Sequence, residues 1–208
     1  MRTIAYVDGF NLYYGCLKGS QFRWLDLPKL LRTVLSADNQ LLAVKYYTAL
    51  IKPRTNDTGQ TLRQQIYLRA LRTLPEVSIK LGHYLSHTVT MPLANPAPGQ
   101  NPFVRVIKTE EKGTDVNLAT HLLNDAYQDA YDVAVVVSND SDLVEPISIV
   151  NAQLGKTVGI INPQQRPSQA LLKVAKFYKQ LRAGALAVSQ LPQQMQDANG
   201  VFHKPNGW

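Results

Sequence analysis

The chain has 208 residues, 45% hydrophobic and 18% charged, which is enough for one domain with its own core and short for two. Its 22 basic residues against 15 acidic ones give a formal charge of +7 and a pI near 9.5, a balance that favours polyanionic partners such as nucleic acid. No stretch is apolar enough to cross a bilayer and MRTIAYVDGF lacks the apolar core of a signal peptide, so a cytoplasmic location and no membrane partner are expected, while the single Cys16 excludes an internal disulfide and a multi-cysteine zinc site.

In chain order, TIAYV (3–7) reads as a strand that runs directly into Asp8. LDLPKLLRTVL (25–35) has helical spacing, LLAVKYYTAL (41–50) reads as a strand, TGQTLRQQIYLRALRTL (58–74) as a helix and VSIKLGHYL (77–85) as a third strand. Residues 87–108 carry four prolines and break the pattern, as a long excursion or loose hairpin would. A helix over TDVNLATHLLNDAYQ (114–128) leads to VAVVV (133–137), a strand apolar throughout, as expected when helices cover both faces of a sheet. A helix over SDLVEPISIVNAQ (141–153) and the strand TVGII (157–161) follow. Ser168 then caps a last helix through QALLKVAKFYKQLR to Arg182, with Gly184 just past its end and Lys173, Lys176, Lys179 and Arg182 facing outward. This alternation predicts an α/β domain over residues 1–186 with a mostly parallel sheet. The segment 187–208, rich in Gln, Pro, Asn and Gly, is expected to be poorly ordered, with Phe202 and Trp208 able to dock on the body.

The acidic residues carry the chemistry. In an open parallel sheet, ligands sit beyond the carboxyl ends of the strands, near the point where strand order reverses. Asp8 follows the first strand, and Asn139, Asp140 and Asp142 follow VAVVV. On the helix at 114–128, the stripe through Leu118, Ala119, Leu122, Leu123 and Ala126 extends back one turn to Asp115. Singly, each acid reads equally well as a helix cap or turn residue. Together they form a cluster whose members raise one another's pKa and which needs a cation. Oxygen-only donors select Mg²⁺ or Mn²⁺, and a pair of such ions about 4 Å apart serves phosphodiester cleavage. Arg63, Arg69, Arg72, Arg105 and Lys108 are candidate contacts to a phosphate backbone, with a solvated surface as the alternative. Tyr13, Tyr14, Tyr46 and Tyr47 are candidates for stacking on bases, although tyrosines in such elements mostly pack. His83 and His87 lie four apart on a strand, too far separated to share a metal.

Four segments, YVDGFNLYYG (6–15), KYYTA (45–49), EEKGTDVNLATHLL (110–123) and VVVSNDSDLVEPI (135–147), resemble in order the NYN-domain proteins, the LabA-like branch of the PIN-like nuclease superfamily. The likeness spans about residues 3–182. It implies a Rossmann-like three-layer α/β/α domain acting as a metal-dependent ribonuclease, probing single-stranded RNA with Mg²⁺ or Mn²⁺ held by Asp8, Asp115 and Asp140, and with Asp142 as a further ligand or a support to one. By the same likeness Asn11 orients a metal-bound water or a phosphate oxygen, Ser138 hydrogen-bonds beside the site, and Lys112 contacts a phosphate. Three positions depart from the family pattern: Asn139 stands where Gly is frequent, Leu143 where Phe is common, and Lys176 near an expected Asp. The alternative expectation is a nucleic-acid-binding or regulatory module that keeps the pocket without cleaving. A phosphatase using a phospho-aspartate ranks last, because Phe10 stands two residues after Asp8 where a second Asp is needed. Self-association is left open.

Overall fold

Runs of β-branched residues separated by helical segments can only be buried by a sheet covered on both sides, and the chain builds one. The computed structural model describes residues 1–51, 57 and 59–208. Strands β1 (Arg2–Asp8), β2 (Gln40–Ala49), β3 (Val77–Pro92), β4 (Phe103–Lys112), β5 (Val133–Val137), β6 (Thr157–Asn162) and β7 (Phe177–Gln180) form a seven-stranded sheet ordered β4-β3-β2-β1-β5-β6-β7. Neighbours are parallel except β3 and β4. The chain moves outward from β1 in one direction and, after β4, resumes at β5 on the other side of β1, which makes β1/β5 the switch point.

Successive residues of the central strands serve opposite faces. Ala5, Val7, Val44, Val133, Val135 and Val137 pack with Leu30 and Leu31 of α2 (Leu27–Val34) and Leu68 and Leu71 of α3 (Gln60–Arg72). Ile4, Tyr6, Ala134, Val136, Val158 and Ile160 pack with Leu118 and Leu122 of α4 (Thr114–Tyr127) and Ile147 and Val150 of α5 (Val144–Ala152). All five residues of VAVVV are buried, which is why the strand shows no polar alternation. One ionic contact lies within the second core: Asp125 of α4 accepts from the Tyr6 hydroxyl at 2.5 Å and pairs with Lys45 at 2.5 Å. No helix among the described residues is long and apolar enough to cross a membrane.

Three segments differ from the sequence-based expectation. Residues 87–108 are not a loose excursion: β3 continues to Pro92, turns, and returns as β4, with cross-strand register from Pro92↔Phe103 to His83↔Lys112. Its pairing with β2 ends at Gly82, so the rest of the hairpin projects past the sheet as a mostly exposed arm. The last helix is also shorter than predicted. Ser168 does cap it, but α6 stops at Val174 and FYKQ pairs with β6 as the edge strand β7, while Gly184 falls inside α7 (Ala183–Val188). Packing overrides helix propensity here: the Phe177 ring lies over Gly159, where a Cβ would come within 2.1 Å of it, and the Tyr178 hydroxyl accepts from Asn162 at 2.8 Å. The basic stripe expected on one helix face is thereby dispersed, with Lys179 bonded to the Val34 carbonyl at 2.6 Å.

The segment after Ser189 forms a hairpin, β8 (Gln194–Asp197) with β9 (Gly200–His203). Phe202 is buried beneath the Arg69 guanidinium, which lies 4.3 Å from its ring centre and clasps both Asp197 oxygens at 2.6 and 2.8 Å. Trp208 packs against Tyr67, ring centres 5.6 Å apart. Arg69, expected among the backbone contacts, is thus committed to holding this hairpin.

Leu122 is fully buried between α4 and the sheet. Leu122→Ala is expected to lower stability by about 3 kcal/mol, read as a fall in the urea midpoint with an unchanged slope; a shift below about 0.5 kcal/mol would refute this packing.

Candidate active site

The site is assembled where β1 and β5 end side by side. Asp8, the last residue of β1, is buried and caps the short helix α1 (Gly9–Leu12): one carboxylate oxygen accepts from the Asn11 backbone N–H at 2.9 Å, and the other accepts from the Ser138 hydroxyl at 2.9 Å. Ser138 follows β5, and its oxygen in turn accepts the Asp140 N–H at 3.1 Å. The Asp140 carboxylate then caps the 3-10 turn Ser141–Leu143 by accepting from the Asp142 N–H at 3.0 Å. Asn11 closes the stitch from the first strand, its side-chain oxygen accepting from Asn139 N–H at 3.1 Å and Gln164 Nε2 at 3.3 Å. Gly9 is required by close approach: a Cβ there would sit 2.6 Å from the Tyr47 carbonyl oxygen and 2.7 Å from the Tyr46 hydroxyl, lifting α1 off β2.

Asp115 arrives from the other side, in the first turn of α4. That helix starts at Gly113, whose φ of +98° a side chain would strain. Glu111 fixes the turn, its carboxylate accepting from Thr114 N–H at 3.1 Å and Thr114 Oγ1 at 2.5 Å. Burial pushes the Asp115 carboxyl up to about 6, helped by the negative charges of Asp8, Asp140, Glu111 and Asp142. Asp8 is also raised by burial, with the Asn11 and Ser138 hydrogen bonds opposing the shift. Among the described residues, Asp115 accepts no hydrogen bond and none of Asp8, Asp115, Asp140 or Asp142 pairs with Lys, Arg or His.

The structure therefore gathers Asp8, Asn11, Asp115, Ser138, Asp140 and Asp142 at one edge. It sets the basic candidates apart. Arg105 and Lys108 lie on the projecting arm, Lys112 at its root, and both lysines pair with Glu110, at 2.6 Å for Lys108 and 3.4 Å for Lys112. Arg63, on α3, pairs with Asp57 and lines an aromatic cavity. Glu111 escaped sequence reasoning, although its place in EEKGTD beside Asp115 was a usable signal; Gln164, remote in sequence, offered none.

Whether a divalent ion fits can be judged from the donors. Hard carboxylate oxygens with uncompensated charge suit Mg²⁺ or Mn²⁺ in kind. As the side chains lie, no three His, Cys, Asp or Glu among the described residues form a ready cage. Asp140 is half-buried and Asp142 exposed, so neither carboxylate is enclosed by the fold.

Known proteins resemble this chain in sequence and in fold. The family model of the NYN domain matches residues 2–181. The 6-hydroxy-3-succinoylpyridine 3-monooxygenase HspA of Pseudomonas putida is 32% identical, the aligned region covering 100% of this chain and 75% of that protein. A crystal structure of a protein of unknown function from Vibrio parahaemolyticus shares the fold, with a TM-score of 0.57 at 17% identity over 88% of this chain and 93% of that one. The family match contains both strand ends and the helix start that supply the carboxylates, and the chain belongs to the NYN domain family.

Proposed function

We propose that the chain is a metal-dependent ribonuclease, an endoribonuclease acting on single-stranded RNA, built on a PIN-like three-layer α/β/α scaffold over residues 1–186. The observation that carries this reading is the convergence of Asp8, Asp115, Asp140 and Asp142 at the sheet's switch point without a cationic partner among the described residues. These four residues would hold Mg²⁺ or Mn²⁺, which when bound supplies activation of water and neutralisation of phosphate charge. Ser138 and Asn11 orient the site, Ser138 by fixing the Asp8 carboxylate and Asn11 by tying α1 to the turn after β5. Asp115, whose carboxylate accepts no hydrogen bond among the described residues, would be the ligand with both oxygens open to the ion. Lys112, Lys108 and Arg105 along the arm grip the strand, whereas Arg63 is occupied by Asp57, and the overall charge of +7 favours the approach of RNA. A soluble, cytoplasmic setting accords with this substrate.

A second reading, oxygenation of a small aromatic ring, is favoured by the monooxygenase name of the Pseudomonas relative, whose likeness extends over the whole chain. The third, a binding module that cleaves nothing, keeps the same pocket.

Incubation of the protein with single-stranded RNA and Mn²⁺ is expected to yield cleavage products, reduced about a hundredfold in Asp140→Asn. Equal cleavage by both proteins rejects the assignment, and retained RNA binding without products under any divalent ion selects the module.

The raised Asp115 carboxyl gives a second test. Its folded value of about 6 exceeds the ordinary 3.8, so without divalent ions its contribution to stability is fully present below 3.8 and is lost as pH rises through 6. Added Mn²⁺ is expected to raise the melting temperature at pH 7.5 and to do so far less at pH 5, where the proton competes, with the pH 7.5 gain shrinking in Asp115→Asn. A gain of the same size at both pH values counts against ion binding here.

A further inference from the structure

Beside the acidic edge, a cavity of about 120 Å³ opens between α1 with the π-helical turn Tyr13–Leu17 that follows it, α3, and the chain's last residues. Six aromatic residues line it, Tyr46 and Tyr67 buried and Tyr14 exposed, with Phe10, Tyr13 and Trp208, alongside polar Thr48, Gln60 and Gln64. Aromatic lining of this kind favours a flat ring, through stacked and edge-on contacts. Size sets how large. A cavity of roughly 150 Å³ accepts benzene, so this one, of about 120 Å³ and open to solvent beside Tyr14, is of the order of a single ring whose substituents lie outside it.

Two polar features ask for more than an apolar guest. The Trp208 Nε1–H is buried and has no acceptor among the described residues, a state that native structures rarely leave without a partner. Arg23 lies 5.9 Å from the Trp208 ring centre, donates only to the carbonyls of Ser20 and Gly207, and meets no carboxylate among the described residues. Arg63, the other cation in the lining, is already neutralised by Asp57.

We infer that this cavity binds one six-membered aromatic ring carrying an anionic group, with the ring among the tyrosines, a ring acceptor within reach of Trp208 Nε1 and the anion on Arg23. The same chemistry is offered by a pyrimidine nucleotide of a strand lying along the acidic edge and by a free aromatic carboxylate. The inference stands whether or not the acidic edge cleaves RNA.

The two tryptophans of the chain, Trp24 and Trp208, both lie near Tyr67, so their fluorescence reports on the cavity. Titrating the full chain in EDTA with uridine monophosphate, nicotinate, adenosine monophosphate and uncharged nicotinamide is expected to give saturable quenching by at least one of the first two. Nicotinamide and the purine nucleotide should bind at least about tenfold more weakly, the loss associated with one charged hydrogen bond or a poor fit. Tighter binding of the uridine nucleotide assigns the cavity to a strand; tighter binding of nicotinate assigns it to a free acid. Arg23→Gln should weaken the anion about tenfold; because Arg23 also holds Gly207, Tyr14→Ala at the exposed rim serves as the second variant and should weaken ring binding with the melting temperature unchanged. No saturable response to either anion, equal affinity for the purine nucleotide, or full affinity in both variants overturns the inference. Repeating the titration with Asp140→Asn, which should bind normally, separates this outcome from failure of the ribonuclease reading.

Discussion

Burial of carboxylates near one another governs the candidate site of this molecule. Desolvation is the largest cause that raises Asp8 and Asp115, with the charges of neighbouring acids adding to it, and the fold spends hydrogen-bond donors on reducing that cost. Asp8 receives Asn11 N–H and the Ser138 hydroxyl, Asp140 receives Asp142 N–H, and Glu111 receives two donors from Thr114. Asp115 receives nothing among the described residues, and it is the group whose proton affinity rises furthest, to about 6. A purely structural cluster would distribute its donors to the member most in need. Leaving that member bare makes Asp115 the functional-site candidate of the group.

Topology explains why these acids meet although they are far apart in sequence. Val7 of β1 pairs with Val137 of β5, so the residues that follow, Asp8 and Ser138, emerge together where strand order reverses. Asp115 reaches the same edge because β4 runs back from the arm toward the sheet and delivers Glu111 and Gly113 to the start of α4. The scaffold fixes a location and leaves the reaction to be argued from the groups standing there. The relatives make the same point, since one carries the name of a monooxygenase and the solved structure that shares the fold has no function assigned.

Much of this was legible in the residues. An apolar run ending in an acid, as in VAVVV before SNDSD, announces a buried parallel strand with its functional end exposed, and the helical stripe ending at Asp115 placed the third acid correctly at the helix start. The arm was half legible: HTVTM and FVRVI alternate as strands do, but the prolines between them read as disruption when they only mark the turn. The edge strand β7 was hidden, because KVAKFYKQ has helical spacing and its pairing depends on the bare backbone at Gly159, 18 residues earlier in the chain from Phe177. Arg69 reads on its own helix as a free cation; only the return of the hairpin at Asp197 shows it occupied. Contacts closed by distant segments are where local reasoning runs out.

The acidic edge and the aromatic cavity share a wall, and the wall is the least regular part of the fold. Helix α1 begins at Asp8, is only four residues long, and passes directly into a π-helical turn. A π turn adds a residue to the helical circuit and is found often at functional sites; here it carries Tyr13 and Tyr14 to the cavity while Asp8 faces the carboxylates. Gly9 lets this unit lie against Tyr46, whose hydroxyl is raised in pKa chiefly by burial and also by the charge of Asp8, so the floor of one site senses the charge of the other. Phe10 anchors the same unit edge-on to Tyr84 at the root of the arm, ring centres 6.1 Å apart. A motif as short as DGFN therefore answers to three neighbours at once: Asp8 to β5, Gly9 to β2, and Phe10 to the hairpin, with Asn11 closing the loop after β5. A change at any of the four positions alters the geometry of both sites together, because each position supplies a different one of the contacts that hold α1 in place.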